Sequence, residues 1–383
     1  MVLIDTVGVM DIRFALCSIG TRWRNDYSLR MSILASNSDS VRAASDAQSS
    51  PAGQDQAWKQ QTWQQQMKSA IRDLSSLGER LGIKVDPEKT AKPMAQFPVF
   101  VPLALLDRME NGNANDPLLL QVLPVAHENQ SPRHFSIDPL EESAATLQPG
   151  LLQKYQGRVL MIVTGACAVH CRYCFRRHFP YQQSPTSMAQ WQSAIDEIAA
   201  DESIEEVILS GGDPLTIVDE KLAELVAALD SIEHLKRLRI HTRLPIMIPA
   251  RVTEGLIEIL SESRLQSFMV IHANHENELD DSVAEALDQL ASAGVTLLNQ
   301  SVLLRGINDD AEALIGLSKR LLQLRVLPYY LHQLDQVVGT SHFEVSPQRG
   351  IELIEAMRAA LPGYAVPRFV KELPGEPNKT VWA

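Results

Sequence analysis

The sequence predicts an α/β protein in which six β-α units follow one another and form a partial parallel (β/α)6 barrel, preceded by a helical region. Three observations carry this expectation. Short runs rich in β-branched residues alternate with amphipathic segments of roughly 10–15 residues, the pattern of strands and crossover helices. Polar and charged residues fall just after the apolar runs, at the strand ends where parallel barrels gather their functional groups. The chain has 383 residues, 45% hydrophobic and 21% charged, enough for one large globular domain and a smaller one.

Taken in order, residues 1–56 are expected to form a disordered tail, because 32–56 is rich in Ser, Ala, Asp, Asn and Gln, and Met31 is a candidate start. Residues 57–150 read as the N-terminal helical region. Trp63, Met67, Ile71 and Leu74 recur at helical spacing, and Gly82 stands near the expected helix end. A second helical piece is predicted over 97–109, confined by Pro98 and Pro102. A turn at 111–116, an apolar segment at 118–123 and a connecting stretch at 138–151 follow.

The barrel is expected over 151–362, with 363–383 as a C-terminal segment. Its strands are predicted at 159–164, 206–210, 237–241, 267–272, 295–298 and 328–332. Its helices are predicted at 188–201, 219–229, 253–261, 282–293, 310–324 and 347–361, with Ser187, Asp219 and Ser346 as caps. Parallel strands joined this way take right-handed crossovers.

Composition excludes several classes. Lys and Arg number 35 against 47 Asp and Glu, a net charge of −12 that argues against nucleic acid or an anionic membrane as partner. No apolar run approaches the ~18 residues of a membrane span. Asp5, Asp11 and Arg13 interrupt the mildly apolar N-terminus, which makes it a poor signal peptide. Of four cysteines, three share one motif, so no disulfide framework is expected and a reducing cytoplasm is the consistent compartment.

That motif is TGACAVHCRYCFRRHF at 164–179, with Cys167, Cys171 and Cys174 in the spacing C-x3-C-x2-C. Three clustered thiolates suit an iron–sulfur cube that keeps one iron open for an outside ligand. Cys17, the remaining cysteine, lies in a tail poorly suited to completing the site. The alternatives are a zinc knuckle closed by His170 or His178, or three buried thiols. After the second predicted strand comes Ser210-Gly211-Gly212-Asp213, either a place where a ligand approaches the backbone or a tight strand–helix turn.

The cysteine spacing with Tyr173 before the last cysteine resembles the radical S-adenosylmethionine (SAM) superfamily. CRYCFRRHF, SGGDPL, HANHENELD, LLNQSVLLRGIND, RVLPYYLHQLD and GEPNKT, in this order from about residue 139 to the end, are similar to the lysine 2,3-aminomutase family. The short length and the PYYLHQLD form are most similar to its branch that makes (R)-β-lysine for elongation factor P. The resemblance implies a [4Fe–4S] cluster on the three cysteines, SAM and pyridoxal phosphate. Ser210, Gly211, Gly212 and Asp213, a GGE-like motif one methylene shorter, and His272 would contact SAM. Lys379 would form the Schiff base with pyridoxal phosphate, whose phosphate Lys154, Arg158 and Gln300 would contact. Arg176 would take the carboxylate of an L-lysine substrate, and Asp335 with Glu372 its distal ammonium.

Without the resemblance, Lys379 is an ordinary exposed lysine near the end, Lys154, Arg158 and Gln300 are a solvated edge, and His272 is a hydrogen-bonded imidazole. Two departures from the family stand out: Glu372 replaces an Asp, and Asp310 stands where zinc-binding relatives carry a Cys. The expectation is therefore no zinc, and a homo-oligomer, if formed, with a different subunit arrangement. The competing readings are a 2,3-aminomutase for another amino acid such as glutamate, which Asp335 and Glu372 would repel, and a non-catalytic iron–sulfur or zinc-binding protein. Elongation factor P and its lysyl-ligase are the implied functional partners.

Overall fold

The N-terminal layer is built of short pieces, because its apolar residues serve a surface that changes direction. In the computed structural model, which describes residues 57–181 and 184–383, these are α1 (Trp63–Lys68), α2 (Leu74–Leu81), α3 (Pro87–Gln96), α4 (Leu103–Leu106) and α5 (Pro117–Leu120). The expectations for residues 1–56, Met31 and Cys17 among them, lie outside the described residues. The helical spacing of Trp63, Met67, Ile71 and Leu74 does not make one helix. Ile71 instead exchanges two backbone hydrogen bonds with Val101, at 2.8 and 3.0 Å, and Asp73 starts a new helix by accepting from the Ser76 amide. Gly82 ends α2 in the left-handed region (φ 62°), as its position predicts. The helix expected over 97–109 shrinks to α4. The longer helix, α3, lies before it, where Asp86 caps and Pro87 starts the turn.

Ten strands follow one another in a single sheet, in sequence order. They are β1 (Thr146–Gln148), β2 (Leu151–Tyr155), β3 (Arg158–Thr164), β4 (Glu206–Gly211), β5 (Arg237–Thr242), β6 (Gln266–Ile271), β7 (Thr296–Leu303), β8 (Leu327–Gln333), β9 (Arg368–Lys371) and β10 (Thr380–Val381). Strands β3 to β9 run parallel, whereas β1, β2 and β10 pair antiparallel at the rims. The connecting stretch expected at 138–151 is thus partly strand. Six β-α units result, closed on the outside by α6 (Met188–Ala200), α7 (Asp219–Asp230), the short α8 (Leu244–Met247) with α9 (Glu254–Glu262), α10 (Asp281–Ser292), α11 (Ala311–Gln323) and α12 (Pro347–Ala360).

Parallel strands covered by helices read as largely apolar runs, which is why these elements fall within one residue of their predicted bounds, except that β7 runs on to Leu303 where the prediction ended at Leu298. The caps are less regular. Ser346 caps α12 through the Arg349 amide, but the Ser187 hydroxyl turns to Gln190 and Asp219 lies inside the first turn of α7. The Asp219 carboxylate instead holds Arg251, at 2.8 Å, and the Thr253 hydroxyl, at 2.6 Å.

Leu77, Leu105 and Leu119 of the N-terminal layer share one buried cluster with barrel residues such as Val207, Leu238 and Met269. Fully buried Arg251 stacks over Trp63 at 4.8 Å and ties α1 to the barrel. The ten-stranded ladder is open, yet its two sides meet through a backbone bridge between Ser136 and Val337 and through side chains. Lys154 on β2 donates to Glu372, just after β9, at 2.8 Å. Among the described residues no helix is long and apolar enough to cross a membrane.

Candidate active site

The strand ends and the C-terminal return surround a cavity of about 620 Å³, lined by every residue assigned above to cluster, SAM, pyridoxal phosphate or substrate. Cys167, Cys171 and Cys174 enter from the loop after β3. Ser210 to Asp213 come from the end of β4, His272 follows β6, Gln300 lies on β7, and Asp335 follows β8. Lys154 and Arg158 come from β2 and β3, Glu372 follows β9, and Lys379 directly precedes β10.

The cysteine loop is held by its own arginines. Buried Arg172 and Arg177 both pair with the Glu128 carboxylate, at 2.5 and 2.7 Å. Buried Arg176 makes a two-pronged contact with Glu142, at 2.7 and 2.6 Å, and donates to the Ser210 hydroxyl at 3.1 Å. Burial pushes the Cys174 thiol up to about 11 and Cys167 well above its ordinary value, so both stay neutral unless a metal takes their protons. Among the described residues no three His, Cys, Asp or Glu side chains converge on one point as a single ion requires. A [4Fe–4S] cube puts each thiolate on a different iron and needs no such point, so the donor set fits it. His170 and His178, the candidate closing ligands, instead bond the main-chain carbonyls of Pro98 and Val338.

The two glycines at the end of β4 serve packing. A Cβ on Gly211 would meet the Thr164 carbonyl oxygen at 2.3 Å, and one on Gly212 the Ala166 carbonyl oxygen at 2.2 Å. Their hydrogen atoms let β4 lie directly beneath the cysteine loop. Asp213 is buried, and its two oxygens accept from the Thr242 hydroxyl (2.6 Å), the Leu215 amide (3.1 Å) and the Arg243 amide (2.7 Å). The carboxylate therefore ties β4 to β5.

From Arg176 of the cysteine loop to Lys379 the charges form a chain. Glu142 accepts from Arg176 and Lys154, and Glu372 accepts from Lys154 and Lys379. Burial would raise the Glu372 carboxyl, but Lys379 and Lys154 outweigh it and hold it down at about 2. Asp335 pairs with Lys371 at 3.4 Å, and burial keeps its carboxyl above the ordinary range. Arg158 stacks on Tyr155 at 4.5 Å, away from Lys154, and the cavity also reaches Arg239 and Arg368. Gln300 contacts His272, whose imidazole burial depresses to about 3. His241 and His332 line the cavity too, each with a buried Nε2 that has no hydrogen-bond partner. Such orphaned nitrogens, together with the arginines, suit a polar, anionic ligand.

Sequence reasoning missed Glu128, Glu142, Arg239, Arg243 and Arg368. Glu128 and Glu142 sit in irregular stretches where an acidic residue reads as solvated. The nearest signal was the three arginines of CRYCFRR, which need buried counter-ions once they are buried.

Residues 161–317 match the model of the radical SAM superfamily. Over 318 residues the chain is 48% identical to the protein named L-lysine 2,3-aminomutase of Haemophilus influenzae, covering 83% of this chain and 94% of that one. The chain belongs to the L-lysine 2,3-aminomutase family. It is 46% identical to the Escherichia coli L-lysine 2,3-aminomutase, over 82% of this chain and 92% of that protein. The Clostridium subterminale L-lysine 2,3-aminomutase is 35% identical over 82% of this chain and 76% of its own length. As a member of this L-lysine 2,3-aminomutase family with a radical SAM domain, the chain is an isomerase. The superfamily implies a [4Fe–4S] cluster and SAM, and the three cysteines that line the cavity are a donor set that suits the cluster.

Proposed function

We propose that the protein converts L-α-lysine to (R)-β-lysine with pyridoxal phosphate beside the cluster and SAM, and that the product serves the modification of elongation factor P in a reducing cytoplasm. The observation that carries this reading is the cavity itself. It joins the three cysteines to Lys379 and to the Glu372 and Asp335 carboxylates in one cavity.

When bound, the cluster supplies the electron that cleaves SAM, and pyridoxal phosphate supplies the conjugated system that lets an amino group move between adjacent carbons. The protein's own residues position and discriminate. Arg176 presents a planar, permanently charged fork suited to the substrate carboxylate, which takes over donors now given to Glu142. Asp335 and Glu372 offer negative charge to the distal ammonium, and repel an acidic side chain such as that of glutamate. Glu372 holds Lys379 at the cavity wall and receives Lys154 as well. When Lys379 engages the cofactor, Glu372 becomes available to the substrate ammonium. Arg158, with Arg239 and Arg368, suits the cofactor phosphate better than Lys154, which is committed to carboxylates.

The test is product analysis after anaerobic incubation of the reconstituted protein with L-lysine, SAM and a reductant. β-Lysine of the R configuration is expected with lysine and no turnover with glutamate. Borohydride reduction and peptide mapping should place pyridoxal phosphate on Lys379, and adduct on another lysine would overturn that assignment. Elongation factor P purified from cells lacking this chain should lose the β-lysyl mass increment.

A further inference from the structure

The Arg243 side chain makes four hydrogen bonds at the edge of the site, and none of the roles above uses it. It follows β5, is buried, and spends its donors in four directions. Nη1 donates to the Sγ of Cys171 at 2.8 Å, and Nε to the His272 carbonyl at 3.1 Å. Nη2 donates to Gln121 at 2.8 Å and to Glu278 at 2.6 Å. Glu278 is fully buried, and its other oxygen accepts from Gln121 and from the Asn274 and His275 amides. The guanidinium is thus fixed from the β6 loop and from the N-terminal layer, with one prong aimed at a cysteine sulfur.

We propose that Arg243, held in place by Glu278, is the residue that sets the reduction potential of the iron–sulfur cluster through its hydrogen bond to the Cys171 sulfur. This rests on the reading that Cys171 is a cluster ligand.

The physics fixes the sign. Cluster potentials respond to hydrogen bonds at the sulfurs, to net charge and to solvent exposure. Reduction adds one electron to the cluster, and a fixed positive charge at a ligand sulfur stabilises the more negative state. In a buried site this attraction is only weakly screened. Glu278 acts in the opposite sense. It neutralises much of the Arg243 charge, so the pair tunes the cluster less than a bare guanidinium would. An arginine serving packing alone needs Glu278, Gln121 and the His272 carbonyl, and gains nothing from the sulfur.

Because the two charges oppose each other, their removal should move the potential in opposite directions. The measurement is an EPR-monitored redox titration of the one-electron cluster couple in the full chain after anaerobic reconstitution. At the wild-type midpoint, Arg243→Gln should lower the ratio of reduced to oxidised cluster about tenfold, a shift of about 59 mV to more negative potential. Glu278→Gln should raise the ratio, and Arg243→Lys, which keeps the charge without the fork, should fall between wild type and Arg243→Gln. Unchanged potentials, or shifts of the same sign in Arg243→Gln and Glu278→Gln, would overturn the proposal. If Arg243→Gln binds no iron, Glu278→Gln and Arg243→Lys decide it alone, by the presence or absence of their shifts. Cys171→Ala separates the two layers of inference. Full iron content in that variant would overturn the cluster assignment, whereas its loss alongside unchanged potentials in the other variants would overturn only the role of Arg243.

Discussion

At the scale of single residues, the site is an arrangement of buried ions whose partners decide what each can do. Glu142 binds Arg176 with both oxygens and also receives Lys154. Removing it leaves a buried guanidinium without its counter-ion, and breaking a buried pair costs about 3–5 kcal/mol. Glu142→Ala should therefore lower unfolding free energy by that order in urea melts, and Glu142→Gln by less, since it keeps the shape and an acceptor. Glu372 supplies a pH test. Burial raises its carboxyl, but Lys379 and Lys154 prevail and set it at about 2, against an ordinary 4.5. A folded-state value below the unfolded one stabilises fully above pH 4.5, and the benefit fades as pH falls towards 2. The stability gap between wild type and Glu372→Gln in the ligand-free protein should accordingly narrow by about 3 kcal/mol across that window. A gap that stays constant down to pH 3 would show that the lysines do not hold this carboxylate.

At the scale of elements, the cysteine loop depends on the strand beneath it. A methyl group at Gly212 would stand 2.2 Å from the Ala166 carbonyl oxygen and 2.8 Å from the Gly165 carbonyl carbon, backbone atoms with no room to retreat. Overpacking of this kind costs about 1–3 kcal/mol, and here it lifts the loop that carries the cysteines. Gly212→Ala should lose both stability and iron content after reconstitution, whereas Gly363→Ala, with no atom within 4 Å of its Cβ, should change neither. The same contrast explains what the sequence made legible. Parallel strands such as β4, buried along its whole length, read as apolar runs whose bounds need no tertiary knowledge. The N-terminal layer hid its structure because helices of four to ten residues are set by docking and not by their own period. Ile71 illustrates this: its spacing is helical, and its backbone pairs with Val101. Within the site, the cysteines were legible from spacing, whereas Lys379 was visible only through family resemblance. Glu142 was invisible because nothing local distinguishes a buried acid in a loop from a solvated one.

At the scale of the whole molecule, an ion chain joins the two rims of the sheet, beside a backbone bridge between Ser136 and Val337. Backbone pairing runs from β1 to β10 and stops, so the sheet has two free rims. Across the gap the structure places Glu142 and Lys154 of one rim against Glu372 and Lys379 of the other. These contacts are shielded, with Glu372 and Lys154 side chains only 13% and 20% exposed, so they are stronger than surface pairs. Closure therefore draws in part on side chains that also line the cavity, and the rims should respond to their loss independently of the barrel interior. In Lys154→Met, the amides of β1, β2, β9 and β10 are expected to exchange hydrogen faster, while those of β4 to β7 keep their protection. A double-mutant cycle with Glu372→Gln should return a coupling of about 1.5–3 kcal/mol, the range for hydrogen bonds to charged groups. Equal loss of protection across all ten strands would mean that the variant destabilised the fold at large. Unchanged exchange at the rims would mean that the backbone bridge between Ser136 and Val337, with the Ser136 amide on the Gln336 carbonyl and the Val338 amide on the Ser136 carbonyl, both at 2.9 Å, holds the barrel without the ion chain.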